Sequence, residues 1–297
     1  MAITSKRITT TQGMQAIGTY DVTAQDTFVY RSPWSSVAGA NVNLLIHWMA
    51  PVLPSDLEDV AVPIVFAVSP GGYALVNPSQ TIDQVEDLCS SGAVIVSPEY
   101  RVSGMHDVGT SDDAAGASSL TKALRAGISD VLFAFDYIVK RANQDFGGVN
   151  VDLRRMIGFG DSAGGQIVQY VASVRPSMFR AVLGTRCGFG LNTSSAEVRA
   201  FYTESNVTPG SPSEMLFLED SDPVIGTPYN TSLANRVDDD ANSAVFLKVG
   251  GSHSDLATFG NVTYLGNSIT PIEACRRFCN DRMSGLSENP PSKYDFN

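Results

Sequence analysis

The stretch Met156-Ile-Gly-Phe-Gly-Asp-Ser-Ala-Gly-Gly165 passes from an apolar run into a glycine-rich turn and then into a helical pattern. Residues 160–164 fit the pattern G-x-S-x-G, and the context predicts a strand that ends at Phe159 and a helix over 165–174. Glycine at positions 160 and 164 permits a turn that is too sharp for residues with a Cβ atom. Such a turn would raise the Ser162 hydroxyl above the strand end, beside the free N–H groups at the start of the helix.

Strand and helix patterns alternate through most of the chain. The predicted strands are Thr27–Tyr30, Val42–Met49, Val62–Val68, Ala93–Ser97, Met156–Phe159, Phe179–Thr185, Met215–Leu218 and Ala244–Val249. The predicted helices cover 78–91, 118–143, 165–174, 196–203, 231–237 and 272–282. This alternation indicates an α/β protein with a mostly parallel central sheet and helices on both faces. We expect a single domain over residues 1–297, with a loose polar tail over 284–297.

Composition excludes several classes of function. Lys and Arg total 20 and Asp and Glu total 31, which gives a net charge of −11. Such a surface offers no basic patch, so nucleic acid is not an expected partner. No apolar run approaches the roughly 20 residues of a membrane-spanning helix. The expected partner is therefore a small molecule, and a homodimer is compatible with these features.

The cysteines and histidines predict neither a metal site nor a cofactor. The four cysteines lack C-x-x-C spacing, and the three histidines are far apart in the chain. The N-terminal segment lacks the apolar region of a secretory signal, which favours the cytoplasm; secretion after removal of a leader is the alternative.

Several motifs resemble those of one enzyme branch. Gly160–Gly165, GDSAGG, is similar to the nucleophile elbow of the hormone-sensitive-lipase-like esterases and carboxylesterases of the α/β-hydrolase superfamily. Tyr100-Arg101 is similar to that branch's Y-R motif, and Phe146-Gly147-Gly148 resembles a carboxylesterase segment. The likeness covers about residues 62–255. It implies the α/β-hydrolase fold, a nucleophilic Ser162 and the chain order Ser, acid, His, but no particular substrate.

The loop after the strand Val62–Val68 reads Ser69-Pro70-Gly71-Gly72-Tyr73, where the resembled family usually has H-G-G-G. The resemblance implies that the N–H groups of Gly71 and Gly72 form an oxyanion hole with that of Ala163. Pro70 has no N–H group, so a hole that used position 70 as a donor would be weakened. Pro-Gly-Gly-Tyr is also similar to a loop of kynurenine formamidases, which makes an amidase an alternative.

The chain order selects one histidine and two candidate acids. His47 lies in a predicted strand, where a structural role is expected, and His106 precedes the elbow. His253 follows the last predicted strand and is the predicted general base. Asp222 begins a D-P-V stretch that corresponds to the acid-bearing D-P-L of the resembled family, so it is the predicted acid, with Asp220 as the alternative.

The substrate pocket is expected to be accessible. The segment between the nucleophile and the acid is short, which predicts a small cap. Residues 1–60 would form N-terminal strands and part of that cap, and residues 187–213 would line the pocket. The predicted substrate-binding residues are Ser69, Tyr73, Asp161 and His106.

Together these features predict a serine esterase that cleaves small carboxylic esters through an acyl-enzyme on Ser162. An amidase or lactonase would use the same groups, and the scaffold also supports elimination or acyl transfer. The non-enzyme alternative is a small-molecule receptor, as in gibberellin receptors, which resemble this branch but lack the catalytic histidine. His253 favours an enzyme.

Overall fold

The computed structural model describes residues 10–35, 40–103, 119–141, 146–187, 212–225, 243–253 and 255–284. The strands within these ranges are β1 (Thr10–Thr11), β2 (Asp26–Arg31), β3 (Trp34–Ser35), β4 (Ala40–Asn41), β5 (Leu44–Met49), β6 (Val60–Val68), β7 (Val94–Pro98), β8 (Asn150–Asp161), β9 (Ala181–Thr185), β10 (Ser213–Glu219), β11 (Ala244–Lys248), β12 (Val262–Tyr264) and β13 (Asn267–Ile269). The helices are α1 (Pro78–Gln84), α2 (Glu86–Ser90), α3 (Ser119–Arg141), α4 (Ala163–Val174) and α5 (Pro271–Met283).

The main sheet is mostly parallel, as predicted. Its path runs β11-β10-β9-β8-β6-β7-β5-β2, and β1 pairs with β6 beside this path. The strands from β11 to β7 are parallel to their neighbours, whereas β5 and β2 are antiparallel. Val68 at the end of β6 pairs with Gly160 of β8. This register places the loop after β6 directly beside the turn that follows β8.

Helices cover both faces of the sheet because its central strands are apolar on both sides. Along β6, Ile64 and Phe66 pack on one face, and Val65 and Ala67 pack on the other. α3 and α4 cover the first face, and α1, α2 and α5 cover the second. The fully apolar β6 is typical of a parallel strand buried on both faces. None of the described helices combines the length and apolar character needed to cross a bilayer.

The predicted elements agree with the structure where it describes them, apart from their ends. β8 begins six residues before the predicted strand at Met156, and the predicted helix over 78–91 is divided at Val85. The predicted helices over 196–203 and 231–237 and the predicted tail lie outside the described residues, except for Ser284.

The N-terminal segment contributes mainly to the sheet. β2 and β5 extend the sheet as its antiparallel edge, and β3 pairs with β4 in a separate two-stranded sheet.

Most of the residue range predicted to line the pocket, 187–213, lies outside the described residues. The small cap therefore stays a prediction.

Candidate active site

The turn between β8 and α4 holds Ser162 in an unusual backbone conformation. Ser162 has φ 52° and ψ −118°, in the positive-φ region where a residue with a side chain is strained by about 1–3 kcal/mol. Its N–H group donates a hydrogen bond to the carbonyl oxygen of Thr185 at 3.0 Å, which attaches the turn to the end of β9. Ser162 occupies the N-cap position of α4 without a capping hydrogen bond from its side chain, so the first N–H groups of the helix have no acceptor within it.

Glycine is required on both sides of this serine. A Cβ atom at Gly160 would lie 2.5 Å from the Gly164 carbonyl oxygen, and one at Gly164 would lie 2.0 Å from the Val68 carbonyl oxygen. Both distances are far shorter than the van der Waals contact between a carbon and an oxygen atom, so a side chain at either position would clash. The turn therefore packs backbone against backbone, both within itself and against the end of β6.

Three side chains from three separate loops meet at the turn. Ser162 Oγ lies 2.8 Å from His253 Nε2, and His253 Nδ1 lies 2.7 Å from Asp222 Oδ2. A carboxylate only accepts hydrogen bonds, so the neutral imidazole carries its hydrogen on Nδ1 and presents a free electron pair on Nε2. An imidazole in this state can accept the serine proton.

The carboxylate of Asp222 is kept ionised at this position. Its side chain has no exposed surface, and burial alone raises its pKa. Hydrogen bonds from His253 and from the backbone N–H groups of Val224 and Ile225 outweigh that effect, so the pKa of Asp222 lies below its ordinary value. The group is therefore an anion that can stabilise a positively charged imidazole.

Asp220, the alternative acid, contacts a different loop position. Its Oδ1 accepts a hydrogen bond from the Gly250 N–H at 2.7 Å and another from the Ser221 hydroxyl at 2.8 Å. The bond from Gly250 holds the start of the loop that carries His253. Asp222 is the one of the two that the structure places against the imidazole.

The loop after β6 has the backbone conformation that its glycines allow. Gly71, Gly72 and Tyr73 have φ values of 137°, 59° and 64°, and a Cβ atom at Gly71 would lie 2.1 Å from the Leu75 carbonyl oxygen. Among the described residues, none accepts a hydrogen bond from the N–H groups of Gly71 and Gly72. These groups therefore have donor capacity for a bound oxygen atom.

Comparison with solved structures identifies the architecture. The chain is similar to Thermogutta terrifontis esterase 2 with bound butyrate, with a TM-score of 0.62 and 15% identity over 90% of this chain and 96% of that chain. The same esterase phosphorylated by paraoxon matches with a TM-score of 0.62 and 16% identity over 90% and 96% of the chains. Its apo form gives a TM-score of 0.61 and 16% identity over 93% and 98%.

The chain has the α/β-hydrolase fold. No protein-family profile and no curated protein sequence matches it. In α/β sheets of this kind, ligands bind beyond the carboxyl ends of the strands. The three side chains described above all follow such strand ends, those of β8, β10 and β11.

Three of the four predicted substrate-binding residues have no exposed surface in this structure. Tyr73 donates its hydroxyl hydrogen to Gln166 Oε1 at 2.6 Å, and the Ser69 carbonyl oxygen accepts from the Tyr100 hydroxyl at 2.8 Å. Asp161 forms a two-point ion pair with Arg186. These side-chain contacts of Tyr73 and Asp161 are internal to the protein.

Of the other two histidines, the structure describes only His47. His106 lies outside the described residues. His47 lies in β5, where its ring is 3.4 Å from Glu99 and from Ser79. No group of three or more His, Cys, Asp or Glu side chains in the described ranges has the arrangement of a metal site.

Two residues that were not predicted from the sequence also contact His253. Arg186 Nη1 donates a hydrogen bond to the His253 carbonyl oxygen, and Glu219 Oε2 accepts one from the His253 N–H, each at 2.7 Å. Each comes directly after a predicted strand, Arg186 after Phe179–Thr185 and Glu219 after Met215–Leu218. The sequence signal that could have found them is therefore their place at the carboxyl ends of two strands.

Proposed function

We propose that the protein is a serine hydrolase that cleaves small carboxylic esters, with Ser162 as the nucleophile, His253 as the general base and Asp222 as the acid that orients it. The observation that carries this proposal is the row of hydrogen bonds from Ser162 Oγ through His253 to Asp222, at 2.8 and 2.7 Å. GDSAGG and the Y-R motif also support membership of the hormone-sensitive-lipase-like branch.

In the first half of the reaction, His253 Nε2 takes the hydroxyl proton of Ser162 while Oγ attacks the ester carbonyl carbon. The carbonyl oxygen becomes an anion, which the N–H groups of Gly71, Gly72 and Ala163 would stabilise. When this intermediate collapses, the imidazolium gives its proton to the leaving alcohol. The acyl group is then joined to the serine oxygen.

In the second half, His253 takes a proton from a water molecule, whose oxygen attacks the acyl carbon. The bond to Ser162 Oγ breaks, the serine recovers its proton from the imidazolium, and the carboxylic acid leaves. Asp222 keeps the imidazole in the required tautomer and stabilises its positive charge in both halves without taking the proton.

Small acyl groups are the proposed substrates. The solved structures of the similar esterase include its complexes with butyrate and with propionate. Both acids have short chains, which agrees with the small cap predicted from the sequence of this chain. The identity of 15% limits that similarity to the fold, so the substrate is a proposal for this protein.

The test uses a covalent probe and a chromogenic ester. Incubation with paraoxon followed by mass spectrometry should place the phosphoryl group on Ser162, as expected for an activated serine. Ser162→Ala should remain folded, resist labelling and lose about 10⁴–10⁶-fold in kcat on p-nitrophenyl acetate.

The outcomes separate the alternatives. Labelling with ester turnover supports the esterase. Faster turnover of an anilide or a lactone than of any ester would replace it by an amidase or lactonase. Labelling without hydrolysis of any of these substrates would indicate elimination or acyl transfer, and the absence of both labelling and turnover would indicate a receptor.

A further inference from the structure

The backbone of His253 is strained at the position where its side chain is used. Its φ is 60°, in the left-handed region that costs an L-residue about 1–2 kcal/mol. In this conformation the imidazole lies between Ser162 Oγ and Asp222 Oδ2. A strained conformation persists only where surrounding groups hold it.

Glu219 holds the peptide on the N-terminal side of His253. It is the last residue of β10 and is fully buried. Its Oε2 accepts hydrogen bonds from the N–H groups of Ser252 at 3.1 Å and of His253 at 2.7 Å. Glycine is required at position 251 of the same loop, because a Cβ atom at Gly251 would lie 2.7 Å from Glu219 Cβ.

Arg186 holds the peptide on the C-terminal side. Its Nη1 donates to the His253 carbonyl oxygen at 2.7 Å, and its Nε and Nη2 donate to the two carboxylate oxygens of Asp161. Asp161 is fully buried and also accepts from Gln84 Nε2 at 3.1 Å. Because Asp161 precedes Ser162, Arg186 links the nucleophile turn to the histidine loop independently of the contact between Ser162 and His253.

We infer that Arg186 and Glu219 are positioning residues of the proposed hydrolase, which hold the main chain of His253 from both sides and so set its imidazole between Ser162 and Asp222. This inference rests on the proposed function. It accounts for two buried charged groups, those of Asp161 and Glu219, that do not take part in the proton transfers. It also gives Asp161 a role in the scaffold in place of the substrate contact predicted from the sequence.

The chain contains a matched control for Arg186. Arg154 forms a comparable two-point pair with Asp152, at 3.0 and 2.9 Å. The arginine side chains are 14% and 15% exposed in the two pairs, and both aspartates are fully buried. Arg154 lies in the first half of β8, whereas Asp161 ends that strand.

The first experiment compares Arg186→Lys with Arg154→Lys on p-nitrophenyl acetate. Lysine keeps a positive charge beside the Asp161 carboxylate. Its single ammonium group cannot bind both oxygens of Asp161 and also donate to the His253 carbonyl oxygen, as the guanidinium of Arg186 does. Arg186→Lys should lower kcat about 10–100-fold through a displaced imidazole, with KM within about twofold. Arg154→Lys should retain the wild-type kcat. Equal kcat in the two variants overturns the role of Arg186.

The second experiment compares Glu219→Met with Glu219→Gln. Methionine removes the acceptor, whereas glutamine retains an oxygen that can accept from the His253 N–H. Glu219→Met should lower kcat about 10–100-fold at unchanged KM, and Glu219→Gln should recover part of that loss. Equal kcat in both variants overturns the role of Glu219. If Glu219→Met does not fold, Gly251→Ala is measured in its place, because the added Cβ atom would displace Glu219. Wild-type kcat in Gly251→Ala would also overturn the role of Glu219.

A spectroscopic measurement distinguishes positioning from general destabilisation. The proton shared by His253 Nδ1 and Asp222 should give a far-downfield NMR resonance that is absent in His253→Ala. The resonance should shift or disappear in folded Arg186→Lys and remain in Arg154→Lys. An unchanged resonance in Arg186→Lys contradicts the inference, whereas a wild-type protein without labelling or turnover contradicts the proposed function itself.

Discussion

Asp222 Oδ2 lies 2.7 Å from His253 Nδ1, and the carboxylate has no exposed surface. We predict that Asp222→Asn lowers kcat about 10³–10⁴-fold, because an amide in this position favours the wrong imidazole tautomer. Asp220→Asn should reduce kcat only a few-fold, since Asp220 bonds the Gly250 N–H and not the imidazole. Ester kinetics on both folded variants provide the measurement. A larger loss in Asp220→Asn would exchange the proposed roles of the two acids.

The contact between the nucleophile turn and the end of β6 gives a second prediction. A Cβ atom at Gly164 would lie 2.0 Å from the carbonyl oxygen of Val68 and 2.6 Å from that of Ser69. Both backbones would have to move, so Gly164→Ala should lower kcat at least about 100-fold through misplaced reacting groups. It should also lower the free energy of unfolding by about 2 kcal/mol or more, measured by urea denaturation.

Gly266→Ala is the control for this substitution. Gly266 has φ 77° between β12 and β13, and a Cβ atom at this position would meet no atom of the described residues within 4 Å. Alanine there should cost about 1–2 kcal/mol from backbone strain, with no change in kcat. If Gly164→Ala retained wild-type kcat, the close packing of the turn against β6 would not matter for turnover.

The parts of the candidate site that the sequence predicts are those marked by a local motif or by the order of the residues along the chain. Gly160 is required by contacts within the turn, Gly164 is required by the Val68 carbonyl oxygen at the end of β6, and Ser162 follows from the G-x-S-x-G spacing. The alternation of apolar strands with helices similarly predicts the parallel sheet. His253 follows from the chain order and from the end of a predicted strand, whereas Asp222 is preferred to Asp220 because Asp222-Pro223-Val224 resembles the D-P-L stretch of the esterase branch.

The contacts that the sequence did not predict depend on which loops the sheet brings together. Arg186 reaches Asp161 and His253 only because β9 lies beside β8 and the loop after β11 folds back over this edge. The hairpin of β12 and β13 was missed for another reason. Its turn places Leu265 at φ 49°, a position where asparagine or aspartate usually signals a turn.

Tyr100 provides a prediction about the loop after β6. Its fully buried hydroxyl donates a hydrogen bond at 2.8 Å to the Ser69 carbonyl oxygen. Burial raises the pKa of Tyr100, so the hydroxyl stays protonated as a donor. Tyr100→Phe leaves that oxygen without its partner and should lower the free energy of unfolding by about 1–3 kcal/mol.

The same substitution should affect turnover, because the Ser69 carbonyl anchors the loop that carries Gly71 and Gly72. We expect kcat to fall about 3–30-fold in Tyr100→Phe, while KM changes less. Tyr170→Phe, on the half-buried surface of α4, is the control for loss of a tyrosine hydroxyl. Equal kcat in the two variants would show that the loop holds its conformation without the bond from Tyr100.

The start of α5 predicts a pH-dependent contribution to stability. Hydrogen bonds from Arg276 and Arg277 lower the pKa of Glu273 from 4.5 to about 2, against a smaller opposing effect of burial. Because the pKa is lower in the folded chain, this stabilisation is fully present above pH 4.5 and is lost as the pH falls toward 2. A double-mutant cycle of Glu273→Gln and Arg276→Met, followed by urea denaturation, should give a coupling of about 0.3–1 kcal/mol at pH 7, the range for partly exposed ion pairs. The coupling should decrease progressively below pH 4.5, whereas a coupling that does not change with pH would assign the contact to packing of the side chains instead of to their charges.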